Sequence, residues 1–328
     1  MALPPSARLL LLGLLSSLAA SAPPARLRRA VQWLVPYGNL SSVAEYESIW
    51  AQLKAHHRPA QNLYAASAYA LKENNASLGY ATTPAGEASY GLQMETLGMP
   101  ALRAMGLGGA SLLGMLYVTH TDAIARMLAD PTAFIAQLVA KLEEQKLAGF
   151  DLDYEPQAVA AAERANAAQG LRNAASFMQF VERLAAALAA KGGIVTIDIS
   201  GCPSSYGFDC AGVANASFIP GLALVNTEDA FGAGSLDDIK SLQQRDGTAA
   251  SLGARWAPGW EPNNIGPAAF AAAMAYLASP AACAAAGGVC PTAISTWAMR
   301  EWNTAPQEEW LFDAIDAFLD APLHDEGA

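Results

Sequence analysis

The chain has 328 residues, within the range that one (β/α)8 barrel fills, and its 53% hydrophobic and 15% charged composition is that of a folded protein with a large core rather than a disordered one. A formal net charge of −11 and the lack of any long Lys/Arg run argue against a nucleic-acid partner and favour a neutral or cationic substrate.

At the N-terminus, Arg8 is followed by an apolar stretch from Leu9 to Ala20 and by Ala20-Ser21-Ala22, an A-x-A site. This order predicts a secretory signal over 1–22, with the alternative of cleavage near Ala19 because Pro23 disfavours the later position. The apolar stretch is too short to span a bilayer, so no membrane association is expected after its removal. The pair Arg28-Arg29 reads either as a processing site or as a chance basic pair. Export is consistent with four cysteines in two close pairs, Cys202 with Cys210 and Cys283 with Cys290; three connectivities are open, and local pairing is the simplest. Sequons at Asn39, Asn75 and Asn215 suit a glycoprotein that is secreted or held in the lumen of the secretory pathway, a vacuole or lysosome included.

The remaining chain, 23–328, alternates short apolar runs with helical patterns. The runs are 30–38, 63–71, 110–120, 149–156, 194–200, 221–229, 250–258 and 292–299, and helices are expected over 43–56, 92–106, 131–147, 172–191, 235–245, 266–278 and 308–320. Asp130-Pro131 and Gly266-Pro267 act as helix starts. The connection 201–217 has no clear helix. Eight such repeats without a linker predict a single (β/α)8 TIM barrel. The Ala-rich stretch 268–288 has the length of a membrane span, but Pro280 and its place in the series make it a barrel helix and loop.

The fourth run, "GFDLDYEP" (149–156), carries the chemistry. Side chains two apart on a strand share a face and lie roughly 6–7 Å apart. Asp151, Asp153 and Glu155 therefore point into the barrel, and Phe150, Leu152 and Tyr154 pack outward against helices. Pro156 ends the strand, which leaves Glu155 at the C-terminal face where barrel enzymes act. Three carboxylates so close favour retention of a proton, making Glu155 a candidate general acid beside an ionised Asp153, or an Asp153 that shares a proton with Asp151. Two other readings are an acidic strand at a rim, or paired with Arg, and a divalent-metal cluster, for which no second acidic cluster or His pair is evident.

The D-x-D-x-E run at the end of a fourth barrel strand resembles the signature of glycoside hydrolase family 18, which comprises chitinases, chitobiases, endo-N-acetylglucosaminidases and inactive chitin-binding relatives. "LVNTED" is similar to that family's motif ending in Tyr-Asp, with Asp229 in the Asp position, and Trp297 matches its sugar-floor Trp. The resemblance implies a retaining, substrate-assisted glycosidase acting on N-acetylglucosamine-containing oligo- or polysaccharides, with no cofactor and no metal, as a monomer. Glu155 would protonate the glycosidic oxygen, Asp153 would orient the acetamido group, and Asp151 would support Asp153. Three departures stand out: Ala148 precedes Gly149 where the family has Asp, the third run lacks a closing Gly-Gly, and Glu228 replaces the Tyr that binds the acetamido oxygen. These keep open a sugar-binding protein with little or no catalysis.

Other residues carry weaker signals. Asp198 in "IVTIDIS" is placed either in the lumen or against loop backbone. Tyr37, Trp256 and Trp260 offer flat faces to a sugar ring or to the core. His120 suits a polar cap, and His56 and His57 suit an exposed helix end. A phosphoaspartyl-transferase reading of Asp-Leu-Asp fails on Glu155, which stands where that motif wants a small residue.

Overall fold

A computed structural model describes residues 27–35, 40–72, 76–82, 90–119, 121–154, 167–199, 219, 221–227, 252, 255–260, 265–288, 290–297 and 309–323. Nine strands are present among these: β1 (Arg29–Leu34), β2 (Asn62–Leu71), β3 (Leu78–Tyr80), β4 (Leu112–Val118), β5 (Gly149–Tyr154), β6 (Ile194–Ile199), β7 (Leu222–Thr227), β8 (Trp256–Trp260) and β9 (Ala293–Thr296). Eight of them run parallel in the order β1-β2-β4-β5-β6-β7-β8-β9, and β9 pairs back onto β1 to close a (β/α)8 barrel. β3 is an antiparallel appendage on β2, so the barrel's fourth strand is β5.

Helices fill the connections: α1 (Val43–Ile49), α2 (Ala51–Ala55), α3 (Tyr90–Gln93), α4 (Met99–Ala104), α5 (Thr121–Ala129), α6 (Thr132–Gln145), α7 (Ala167–Ala189), α8 (Pro267–Leu277), α9 (Pro280–Ala285) and α10 (Glu309–Asp320). The helix expected over 43–56 breaks at the buried Trp50, whose ring packs 4.8 Å from Tyr46. A π-turn, Met94–Gly98, joins α3 to α4. The chain between β4 and α6 contains α5, a helix absent from those expected: the pattern before Asp130-Pro131 is helical too, but the chain turns by 97° there because Pro131 cannot continue a helix's hydrogen bonding. The expected helix 235–245 lies outside the described residues, as do 1–22, 201–217, Asn39, Asn75 and Asn215.

The two cysteine pairs differ. Cys283 and Cys290 form the local disulfide expected of them. The bond expected between Cys202 and Cys210 is not seen among the described residues, because Cys202 and Cys210 both lie outside them. Among the described residues, no single helix is long and apolar enough to cross a membrane.

Two apolar layers follow from the period of two. The larger lies between sheet and helices and includes Phe150, Leu152 and Tyr154. Tyr154 stacks on Phe177 of α7 at 4.0 Å, and Phe150 packs against Tyr69 at 5.9 Å. The smaller fills the lumen floor with Val31, Leu63, Leu113, Met115, Leu224 and Ala257. Gly149 opens β5 because β6 comes close there: a Cβ at 149 would stand 2.0 Å from the Ile194 carbonyl oxygen.

The seventh run needs a correction. Its strand is Trp256–Trp260 rather than 250–258, with Pro258 inside it and opposite Thr227. A proline cannot donate to a ladder, so the sequence rule ends a strand where this one continues. His56 and His57 are also corrected from exposed to half-buried. The His56 ring stacks on Phe312 at 4.9 Å with Nδ1 2.9 Å from Asp316 Oδ2, and His57 Nδ1 lies 3.0 Å from the Tyr64 hydroxyl.

Arg28 ties the start of the barrel to its end. Its guanidinium, in a residue only 1% exposed, donates to the carbonyl oxygens of Pro291 (2.6 Å), Ala321 (3.2 Å), Pro322 (3.2 Å) and Ala278 (3.3 Å), and it lies 4.8 Å from the Phe318 ring centre. The dibasic pair is thus built into the fold, with Arg29 opening β1. Replacing a buried charge-assisted donor leaves its acceptors unmet, so Arg28→Ala is expected to destabilise the protein by about 3 kcal/mol in urea unfolding. A change below about 0.5 kcal/mol would contradict this role for Arg28.

Candidate active site

The inward face of β5 is fixed by contacts reaching across the barrel. Asp151 Oδ2 accepts a 2.6 Å hydrogen bond from Trp33 Nε1 on β1, while its Oδ1 accepts from the Thr196 hydroxyl on β6 and from Asn226 Nδ2 on β7 at 3.2 Å. Three strands thus converge on one carboxylate that is 0% exposed. Burial pushes the Asp151 carboxyl up from 3.8 to about 6, against the hydrogen bonds from Thr196 and Trp33, which pull it down.

Asp153, two residues along, faces the same lumen one layer nearer the mouth and is buried. Its neighbours in register are Tyr117 on β4 and Asp198 on β6. Asp198 follows the inward Thr196 by two residues and is buried as well, so its side chain is on the lumen face of β6. Two carboxyl groups therefore stand side by side across the β5–β6 seam.

Trp297 sits just past the end of β9, its N–H donating to the Trp260 carbonyl at 2.7 Å and its ring 5.6 Å from Trp33. Trp33 thereby links Trp297 to Asp151. Glu155, Tyr37, Glu228, Asp229 and His120 lie outside the described residues.

Trp256 is a correction. It faces outward into the layer between sheet and helices, and its Nε1 donates to Thr227 Oγ1 at 3.1 Å. Trp260 is in the same layer, edge-on to Phe270 at 6.2 Å. With Pro258 inside the strand, the even positions of β8 point away from the lumen and Ala257 points into it. Of the two readings, the core one applies to both tryptophans.

Trp33 and Tyr117 are lumen residues that motif reasoning does not single out. Tyr117 is half-buried, its hydroxyl 3.2 Å from Ser67 Oγ and its ring edge-on to Tyr90 at 6.4 Å. The signal for both was phase: Val31 and Trp33, and Leu113, Met115 and Tyr117, alternate inward as Asp151 and Asp153 do. Among the described residues no group of three or more His, Cys, Asp or Glu side chains is arranged to hold a metal ion.

Fold and lumen define a (β/α)8 barrel whose interior carries a graded row of carboxylates. That fold is shared with solved chitinases. A chitinase from Chromobacterium violaceum aligns over 89% of this chain and 99% of its own, with a TM-score of 0.57 and 12% identity. A family 18 chitinase from Flavobacterium johnsoniae aligns over 90% and 94%, with a TM-score of 0.56 and 11% identity. The catalytic domain of a family 18 chitinase from the fern Peteris ryukyuensis aligns over 89% and 99%, with a TM-score of 0.55 and 14% identity. No protein-family model and no curated protein sequence matches the chain.

Because the native state holds the Asp151 proton more tightly than the unfolded chain, this group stabilises the fold fully below pH 3.8 and loses that contribution as pH rises through about 6. Wild type is therefore expected to lose about 2 kcal/mol relative to Asp151→Asn between pH 4 and pH 7 in urea unfolding. A difference between the two that stays constant with pH would contradict it.

Proposed function

We propose that the protein is a secreted glycoside hydrolase that cleaves β-linked N-acetylglucosamine polymers or glycans by substrate-assisted, retaining hydrolysis. The observation that carries this reading is the inward pair Asp151 and Asp153 on the barrel's fourth strand, followed in sequence by Glu155. The chitinase fold of the structural neighbours supports it.

In this reading Glu155 protonates the glycosidic oxygen, and the carbonyl oxygen of the substrate's own 2-acetamido group attacks the anomeric carbon. The leaving sugar departs with the proton and an oxazolinium ion remains. Water, deprotonated by Glu155, then opens that ion and restores the configuration. Asp153 accepts a hydrogen bond from the acetamido N–H and balances the positive charge. Asp151, held by Trp33, Thr196 and Asn226, keeps Asp153 oriented from below. No protein nucleophile is required, which is why N-acetylated sugars are the substrate class.

Trp297 provides an apolar floor for the sugar ring. Asp229, Glu228 and Tyr37 complete the sugar site from neighbouring loops. Residues 1–22 serve as the signal peptide and 23–328 form the secreted domain, a monomer with a second disulfide between Cys202 and Cys210 and glycans at Asn39, Asn75 and Asn215. An extra carboxylate at Glu228, where the resemblance calls for Tyr, favours a second reading: a sugar-binding barrel with weak or no turnover.

Release of chromophore from an N-acetylchitooligosaccharide glycoside separates the two. Wild type is expected to turn over, and Glu155→Gln to lose about 10²–10⁴-fold in kcat with ligand binding retained. Full activity in Glu155→Gln would overturn the mechanism, and calorimetric binding without turnover in wild type would favour the second reading.

A further inference from the structure

Asp151 and Asp153 lie two apart on one strand, the arrangement in which a proton would be shared along the strand. Here the lower member is already engaged. Asp151 Oδ1 accepts two donors, from β6 and β7, and Oδ2 accepts one from β1. A carboxyl group that meets three donors has little acceptor capacity left.

Asp153 has a nearer carboxyl neighbour. Asp198 is its Cα partner in the β5–β6 ladder, and adjacent strands in a sheet are about 4.8 Å apart. Both side chains point into the lumen and both residues are buried. Two carboxylates at that spacing, shielded from water, are most stable when they hold one proton between them. The titratable groups facing Asp198 among the described residues are Asp153 beside it, Asp151 one layer below, and Tyr117 beyond Asp153 on β4. Asn226, its partner on β7, carries no charge and is turned to Asp151.

We infer that Asp198 is a positioning residue for Asp153: the two share one proton across the β5–β6 seam, with the Asp198 carboxyl donating and the Asp153 carboxylate accepting. The inference rests on the proposed glycosidase reading only for its catalytic consequence. The proton stays within the pair and no bond to substrate is made by Asp198. Its effect is to fix the rotamer of Asp153 and leave the negative charge on the oxygen that meets the acetamido group. Orientation of Asp153 thereby passes in part from the residue below it on β5 to a residue beside it on β6.

The test combines carboxyl-carbon NMR on the full chain labelled at aspartate Cγ with kinetics on the chromogenic glycoside. Asp153 and Asp198 are expected to titrate as a coupled pair. Asp198→Asn should lower the Asp153 midpoint by about one pH unit or more, and Asp153→Asn should move that of Asp198 likewise. In kinetics Asp198→Ala should reduce kcat about tenfold or more with little change in KM and move the acid limb of the kcat profile to higher pH; Asp198→Asn, whose amide can still donate, should restore most of the loss. Independent titrations, or Ala and Asn variants that behave alike, would overturn the inference. Coupled titration without any turnover by wild type would sink the glycosidase reading and leave the proton pair standing, whereas turnover with independent titrations would sink the pair alone.

Discussion

A carboxylate buried in the lumen of a closed barrel must be met by donors, and the protein commits residues of three other strands to this. Trp33 comes from β1, Thr196 from β6 and Asn226 from β7, so the hydrogen bonds of Asp151 bind together strands that are far apart in sequence. Unmet, a group of that kind would cost several kcal/mol, a large share of the net stability of any domain. Met in this way, it is a fixed point of the lumen, two residues before Asp153 on β5 and linked through Trp33 to Trp297. The penalty that remains is visible in the Asp151 carboxyl, which burial holds above its ordinary range despite its partners.

The outer face of the same strand stabilises what the inner face strains. Phe150, Leu152 and Tyr154 are all buried against the helices, and each such burial contributes about 1.5–3 kcal/mol. Gly114 on β4 leaves room for this layer, since a Cβ there would lie 2.9 Å from both Phe150 and Tyr69. Gly149 lets β6 approach closely enough to bring Asp198 level with Asp153. An unfavourable row of acids is thus carried on a strand whose other side is fully buried.

Much of this was legible because period two survives in the sequence. The alternation of Phe150, Leu152 and Tyr154 with the acids gave the orientation of β5, and the repeat of apolar run and helix gave the barrel. Trp256 was not legible, because Pro258 continues its strand and the phase of β8 was therefore open. Nor was the slip in β2: Ser67 faces the lumen toward Tyr117, yet Tyr69, two residues on, packs outward on Phe150, since the register shifts between them. A bulge of this kind leaves little trace in composition. The donors to Asp151 were hidden for another reason. They lie on β1, β6 and β7, and nothing in the local sequence of Trp33, Thr196 or Asn226 says which residue across the barrel they will meet.

In the proposed function, the row of acids on the fourth barrel strand serves N-acetylated sugars through an oxazolinium ion. A crystal soaked with an N-acetylglucosamine thiazoline, a stable mimic of that ion, tests it most directly. Density is expected for the ring against Trp297, with the thiazoline within hydrogen-bonding distance of Asp153 and below Glu155. A lumen that stays empty at saturating ligand, or density bound elsewhere on the molecule, would contradict it.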